Sequence, residues 1–99
     1  MPRFDVYEHT SVPLVMDVQA DLLADLKTRV VIPLLPLAQT KKEQLPRLKP
    51  VVKVNGKSYV LITTDISVIA VSRLGKLVGN AEDQRQVITE AVDFLLQGF

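Results

Sequence analysis

An Asn-Gly pair between two β-rich runs constrains this chain more than any other feature. Residues 51–54 and 57–62 are rich in β-branched side chains and flank Asn55-Gly56. Such a pair favours a two-residue type I′ hairpin turn, because both central residues need positive φ. The turn also sets the register of the two strands, and it predicts three facing pairs: Val54 with Lys57, Val52 with Tyr59, and Val51 with Val60.

Both faces of this hairpin are apolar away from its tip. One face carries Val52, Val54, Tyr59 and Leu61. The other face carries Val51, Val60 and Ile62. A hairpin with two apolar faces needs cover on both sides. We therefore expect either a small barrel or a sheet that packs against a second subunit.

Further short strands and one helix are predicted around the hairpin. Alternating or β-branched runs predict strands at residues 3–7, 14–18, 29–33 and 66–71. Because Pro33 has no N–H, we expect it at an edge, a bulge or the end of its strand. Residues 36–50 contain three prolines and predict a long surface loop.

The chain ends in a predicted amphipathic helix. Apolar residues recur at helical spacing from Val87 to Leu95, Asn80 is a candidate cap, and Gly98 is a candidate stop. Few residues follow this helix, so the terminus either packs into the core or contacts a partner. The sequence predicts a single, mainly β domain over residues 1–99, with one C-terminal α-helix.

Composition and charge exclude several classes of protein. Hydrophobic residues are 47% of the chain, charged residues 23%, and the net charge is +1, so neither disorder nor a nucleic-acid binder is favoured. There is no cysteine, which excludes disulfides and thiolate metal sites. No signal peptide or span of about 20 apolar residues is visible, and we expect a cytoplasmic protein. The mean hydropathy of +0.21 is high for a small domain and favours a homodimer.

The aspartates and the histidine, residue types that act in catalysis or metal binding in other proteins, have structural roles as the favoured interpretation in this sequence. Asp17, Asp21 and Asp25 are spaced four apart, which on a helix would suit a cation, but Asp17 ends a strand-like run. Turn hydrogen bonds are the favoured role. His9 is the only histidine and no G-x-S-x-G motif accompanies it, so we interpret it as a loop residue. We expect no metal, cofactor or catalytic residue.

Three other segments have two possible roles each. Residues 63–65 (Thr-Thr-Asp) suit a nucleophile or a ribose contact, but a side-chain-bonded turn is favoured. The basic residues between 41 and 57 lack interleaved aromatic side chains, so a solvated face or an acidic protein partner is favoured over nucleic acid. Leu22 and Leu23 stand in a polar stretch, and either insert into the core or contact a partner.

Five stretches in order along the chain resemble the CcdB toxins of bacterial toxin–antitoxin modules. They are FDVY near the start, DVQADLL at 17–23, RVVIPL at 29–34, KPVVKVNGKSYVLITTD at 49–65, and the terminal LLQGF. The resemblance implies an SH3-like antiparallel barrel with a C-terminal helix, and a homodimer. It implies a toxin that is not an enzyme, which binds the A subunit of DNA gyrase and traps it on cleaved DNA. A cognate antitoxin with a disordered C-terminal segment would release gyrase.

The resemblance also implies which residues contact these partners. Seven positions correspond to gyrase contacts: Leu22, Leu23, Asp93, Leu96, Gln97, Gly98 and Phe99. Four of them are also expected to contact the antitoxin: Leu22, Leu23, Leu96 and Phe99. The family's last three residues are Trp-Gly-Ile, so Gln97 and Phe99 depart from the pattern and only Gly98 matches it.

Two other functions remain open. Ribonuclease toxins share this barrel, and an endoribonuclease would need an acid/base set such as Asp65 with Arg29 or Arg73. A toxin-derived protein without poisoning activity would bind an antitoxin and leave growth unaffected.

Overall fold

The computed structural model describes residues 2–23, 25–40 and 45–98, which form a curled antiparallel sheet followed by one α-helix. The seven strands are β1 (Asp5–Glu8), β2 (Leu14–Asp17), β3 (Thr28–Pro36), β4 (Val51–Val54), β5 (Lys57–Leu61), β6 (Ser67–Ala70) and β7 (Leu77–Asn80). The helix α1 spans Arg85–Gln97. Short 3₁₀ turns lie at Asp21–Leu23, Leu37–Gln39, Thr63–Asp65, Val71–Arg73 and Glu82–Gln84. The predicted mainly β fold with a C-terminal helix is confirmed.

The strand order is β4-β5-β3-β2-β1-β7, and β6 pairs with β3 beside β5. The long strand β3 therefore changes partner on one side, from β6 at Val31 to β5 at Leu34. Pro33 lies at this change, where its carbonyl accepts the Ile62 N–H at 2.9 Å. Of the three places expected for Pro33, namely an edge, a bulge or the end of its strand, the strand's end was wrong: β3 continues to Pro36, because the missing N–H falls in the gap between two partner strands.

The first strand begins later than the sequence predicts. Residues 3–7 alternate, but β1 spans Asp5–Glu8 because Phe4 has a φ of 72° and turns the chain. Positive φ is strained for a bulky residue. Phe4 is fully buried, its N–H donates to the Asp17 carbonyl at 2.6 Å, and the Arg3 guanidinium lies 4.9 Å from its ring centroid. Burial of the ring offsets the local strain.

The hairpin formed by β4 and β5 has the predicted register, with all three facing pairs confirmed. Asn55 and Gly56 have φ of 53° and 78°, as a type I′ turn requires. The Asn55 side-chain amide also donates to the Val78 carbonyl at 2.9 Å, which holds the hairpin tip against β7. A β-carbon at Gly79 would lie 3.2 Å from the Asn55 side-chain oxygen, so glycine leaves room for this approach.

Helix α1 closes the open face of the sheet. Ile88 and Ala91 are buried in the main core, whereas Val87, predicted to share their face, is exposed. The prediction that Asn80 caps this helix was wrong: Asn80 ends β7, its side-chain oxygen accepts the Glu82 N–H at 2.7 Å in a 3₁₀ turn, and α1 begins later, after Gln84. Gly98 has a φ of 77° and ends the helix, as predicted. No helix among the described residues has the length and apolarity needed to cross a membrane.

The predicted loop at residues 36–50 is described only in part. Its first residue belongs to β3, and Leu37–Gln39 forms a 3₁₀ turn. Lys41 and Lys42 of the predicted basic face lie outside the described residues. The guanidinium of Arg47 lies 4.8 Å from the ring centroid of Phe94, so the end of this segment contacts α1.

Candidate functional site

Leu22 and Leu23, called here the leucine turn, project from the protein surface. They belong to the 3₁₀ turn Asp21–Leu23, where Leu22 is 98% exposed and Leu23 is 50% exposed. Leu26, a short distance along the chain, is also exposed. The sequence left two roles open for this pair, and the structure excludes insertion into the core. Exposed leucines on one short segment form an apolar contact surface.

A buried polar network holds the leucine turn in place. The Gln19 side-chain amide donates to the Leu23 carbonyl at 2.7 Å, and its oxygen accepts the Val30 N–H at 3.1 Å. The Asp17 carboxylate accepts the Gln19 N–H at 3.0 Å and pairs with the Arg29 guanidinium at 2.6 Å. Asp17 and Arg29 are fully buried. The exposed leucines therefore stand on a turn that is bonded to β2 and β3.

The three evenly spaced aspartates do not form one site. Asp17 is buried in β2, and the Asp21 carboxylate accepts the Arg3 N–H at 2.7 Å in the exposed turn. Asp25 follows on the surface. Across the described ranges, no group of three or more His, Cys, Asp or Glu side chains is placed to hold a metal ion. Two of the aspartates instead fix local backbone conformation.

The end of α1 also projects into solvent. Asp93, Leu96, Gln97 and Gly98, called here the helix end, are all exposed, and Leu96 is 73% exposed. Phe99, the last predicted contact, lies outside the described residues. Leu95 is half-buried, so the transition from core to surface falls at Leu96. The described part of the terminus is thus presented to solvent rather than packed into the core.

Two contacts link the surroundings of the leucine turn to the start of α1. The Arg3 N–H bonds to Asp21 beside the leucine turn, and the Arg85 guanidinium lies 5.9 Å from the ring centroid of Phe4. The helix end lies at the other end of α1, about 20 Å from Arg85 along the 13-residue helix. That the leucine turn and the helix end both contact gyrase stays a prediction from the family resemblance.

The acid/base set considered for an endoribonuclease is not assembled. Arg29 is fully buried against Asp17 and cannot touch an external substrate. Asp65 precedes β6 and Arg73 follows it, so a strand of about 13 Å separates them. The Thr63 hydroxyl is buried and donates to the Leu61 carbonyl at 3.5 Å, a turn bond rather than an exposed nucleophile.

Sequence reasoning missed a surface cavity of about 330 Å³ between the β1–β2 loop and the segment after β6. Six residues line it: Glu8, His9, Thr10, Pro13, Arg73 and Gly75. Two backbone bonds join its walls, from the Glu8 N–H to the Lys76 carbonyl at 2.9 Å and from the Gly75 N–H to the Glu8 carbonyl at 2.8 Å. The cavity places ionisable side chains from distant parts of the sequence together.

A second buried polar pair lies on β1. The Tyr7 hydroxyl donates to the Asp5 carboxylate at 3.2 Å, and Asp5 also accepts the Asn80 side-chain N–H at 2.9 Å. Burial raises the pKa of Tyr7 to about 12, and the neighbouring Asp5 carboxylate adds to the shift. Tyr7 packs with Val15 and Val31 in a small core separate from the one under α1.

The described residues form a small, curled antiparallel sheet with a C-terminal helix, and they expose leucines at the leucine turn and at the helix end. The family profile of the CcdB protein matches residues 3–98. The chain belongs to the CcdB family, as its sequence motifs indicated. Membership indicates the toxin component of a toxin–antitoxin module.

A solved structure titled "Endoribonuclease from Mycobacterial species" is similar to this chain, with a TM-score of 0.75. The two sequences are 18% identical, and the match covers 97% of this chain and 90% of the other. At this identity the similarity shows a shared fold and does not transfer an activity.

Proposed function

We propose that this chain is a toxin that binds the A subunit of DNA gyrase and traps gyrase on cleaved DNA. It acts by binding in the cytoplasm, as a homodimer, and is not an enzyme. Family membership supports a toxin of this kind. The observation that carries the gyrase step is the helix end, where Leu96 is 73% exposed directly beyond the packed part of α1.

A cognate antitoxin is proposed to cover the leucine turn. Burying an exposed leucine side chain yields about 1.5–3 kcal/mol, so Leu22 alone offers a substantial contact. The bonds from Gln19 to Leu23 and Val30 hold the turn in its bound geometry before the partner arrives. Such preorganisation lowers the entropy cost of binding.

Expression without an antitoxin tests toxicity and the role of the helix end together. We expect growth arrest from the parent protein and reduced arrest from Leu96→Ser. Leu77→Ser is the matched control, because Leu77 is also exposed but lies on β7. Normal growth with the parent protein contradicts the proposal, and antitoxin binding without arrest identifies a toxin-derived binding protein instead. Equal loss of toxicity in both variants contradicts a specific role for the helix end.

A substitution at position 97 tests for a gain of gyrase binding rather than a loss. Gln97→Trp restores the aromatic residue expected from the family pattern, and buried interface aromatics contribute about 2–4 kcal/mol. We expect gyrase binding to strengthen at least tenfold, measured by surface plasmon resonance with the purified A subunit. Unchanged or weaker binding argues against a contact at this position.

An endoribonuclease is the second candidate function. It is favoured by the similar structure titled as an endoribonuclease and by the cavity that contains Arg73. Incubation of the purified protein with single-stranded RNA tests it. Cleavage that is lost in Arg73→Gln supports this candidate, and intact RNA contradicts it.

A further inference from the structure

We infer that the cavity lined by His9 and Arg73 binds a ribose phosphate, the chemical group of a ribonucleotide. This site is distinct from the leucine turn and the helix end, and the inference goes beyond the proposed gyrase activity. The nearly even charge of the whole chain gave no sign of it, because the charges concerned are local.

Two opposite charges line the cavity without neutralising each other. Within the part of the chain that the structure describes, neither the Arg73 guanidinium nor the Glu8 carboxylate has a hydrogen bond or an ion pair. An unpaired guanidinium presents several N–H donors in a fork that matches the oxygens of a phosphate. Arg73 therefore offers a site for an anion at one wall of the cavity.

His9 adds a second donor. Its Nδ1 accepts the Ser11 N–H at 3.2 Å, which fixes the ring and assigns the proton of the neutral imidazole to Nε2. No hydrogen bond to Nε2 is found among the described residues. The ring thus retains a donor that suits a phosphate oxygen.

Glu8 determines which kind of phosphate the cavity suits. A carboxylate repels a bare phosphate, but it accepts hydrogen bonds from hydroxyl groups. A ligand that carries hydroxyls next to its phosphate satisfies Arg73 and Glu8 at once, and ribose phosphate has this pattern. The cavity volume of about 330 Å³ lies at the small end of the range for small-molecule sites and suits such a ligand.

The walls of the cavity are held in place before any ligand binds. A β-carbon at Gly75 would lie 2.7 Å from the Glu8 carbonyl oxygen, so only glycine permits this approach. Leu74, next to Gly75, packs against the small core that contains Tyr7 and Val15. A site with fixed walls loses little conformational entropy on binding.

Titration followed by two-dimensional NMR of the full chain tests the inference. The probes are ribose 5-phosphate, 2-deoxyribose 5-phosphate, inorganic phosphate and a short single-stranded RNA. We expect ribose 5-phosphate to shift the resonances of His9 and Gly75 and to bind more tightly than the deoxy sugar. If the RNA binds more tightly than ribose 5-phosphate, the natural ligand is an RNA chain. If the two bind with equal affinity, the natural ligand is a free nucleotide. Either result supports the site.

Three variants make the test specific. Arg73→Gln is expected to weaken binding about ten- to a hundredfold, the loss of a charged hydrogen bond, while the exposed control Lys57→Gln changes it little. Glu8→Ala is expected to strengthen binding of inorganic phosphate and to remove the preference for ribose over deoxyribose. Equal effects of Arg73→Gln and Lys57→Gln, no preference for ribose in the parent protein, or shifts confined to other regions would overturn the inference.

Discussion

Removing the guanidinium of Arg29 tests the buried network beneath the leucine turn. Arg29→Met keeps a long apolar side chain of similar reach and removes the ion pair with Asp17. Both side chains are fully buried at a separation of 2.6 Å, so the Asp17 carboxylate would remain in the core without its partner. Breaking a buried pair in this way costs about 3–5 kcal/mol.

The matched control is the same substitution in an exposed ion pair. Arg85 pairs with Glu82, and their side chains are 60% and 52% exposed. Exposed pairs contribute about 0–1 kcal/mol, so Arg85→Met is expected to change the free energy of unfolding by no more than that. The double substitution Asp17→Asn with Arg29→Met should regain part of the loss, because no buried charge remains uncompensated.

Urea unfolding followed by circular dichroism measures these differences, with the slope of the transition checked for constancy. Native domains are stable by about 5–15 kcal/mol, so a loss of 3–5 kcal/mol shifts the midpoint clearly. A cost for Arg29→Met below about 1 kcal/mol, or equal to that of Arg85→Met, would refute the claim that this pair supports the turn.

Three further expectations follow from the packing and the charges. Gly75→Ala should lower the free energy of unfolding by about 1–3 kcal/mol in urea titrations, because its β-carbon would meet a backbone oxygen; no change contradicts that close approach. With a folded pKa of about 12 above its unfolded value of 10.0, Tyr7 contributes stability below pH 10 that is lost as the pH rises toward 12. Ultraviolet titration should detect this ionisation, and Asp5→Asn should lower the pKa of Tyr7; an unchanged pKa contradicts the role of Asp5. Ile88→Ala should cost about 2–5 kcal/mol and Leu96→Ala almost nothing in the same unfolding assay, since only Ile88 is buried; equal costs contradict this assignment of the helix faces.

Features that depend on neighbouring residues were predictable from the sequence. The hairpin register follows from the backbone conformation that Asn55-Gly56 adopts, and the end of α1 follows from the left-handed conformation of Gly98. In each case the determining interaction spans only a few residues.

Features that depend on distant partners were not predictable in the same way. Pro33 is accommodated in the middle of β3 only because β5 and β6 leave a gap opposite it. Phe4 adopts positive φ because the fully formed core accepts its ring. An arginine before a β-branched run usually faces solvent, and the burial of Arg29 requires Asp17 on the neighbouring strand.

The candidate sites show the same difference between features set by neighbouring residues and features set by distant ones. The motifs named the residues of the helix end and the leucine turn, and the structure shows that those it describes are exposed, while their contacts with partners stay a prediction. The cavity had no local signal, because pairing of β1 with β7 brings the segment containing His9 next to the one containing Arg73. A lone histidine in a loop gives no indication of such a neighbour.

Cleavage of supercoiled plasmid DNA by purified gyrase in the presence of this protein tests the central claim most directly. We expect linear DNA to accumulate in proportion to the protein added, to depend on the A subunit, and to disappear when the antitoxin is added first. Plasmid that stays intact at saturating concentrations of the protein would contradict the proposed action on gyrase.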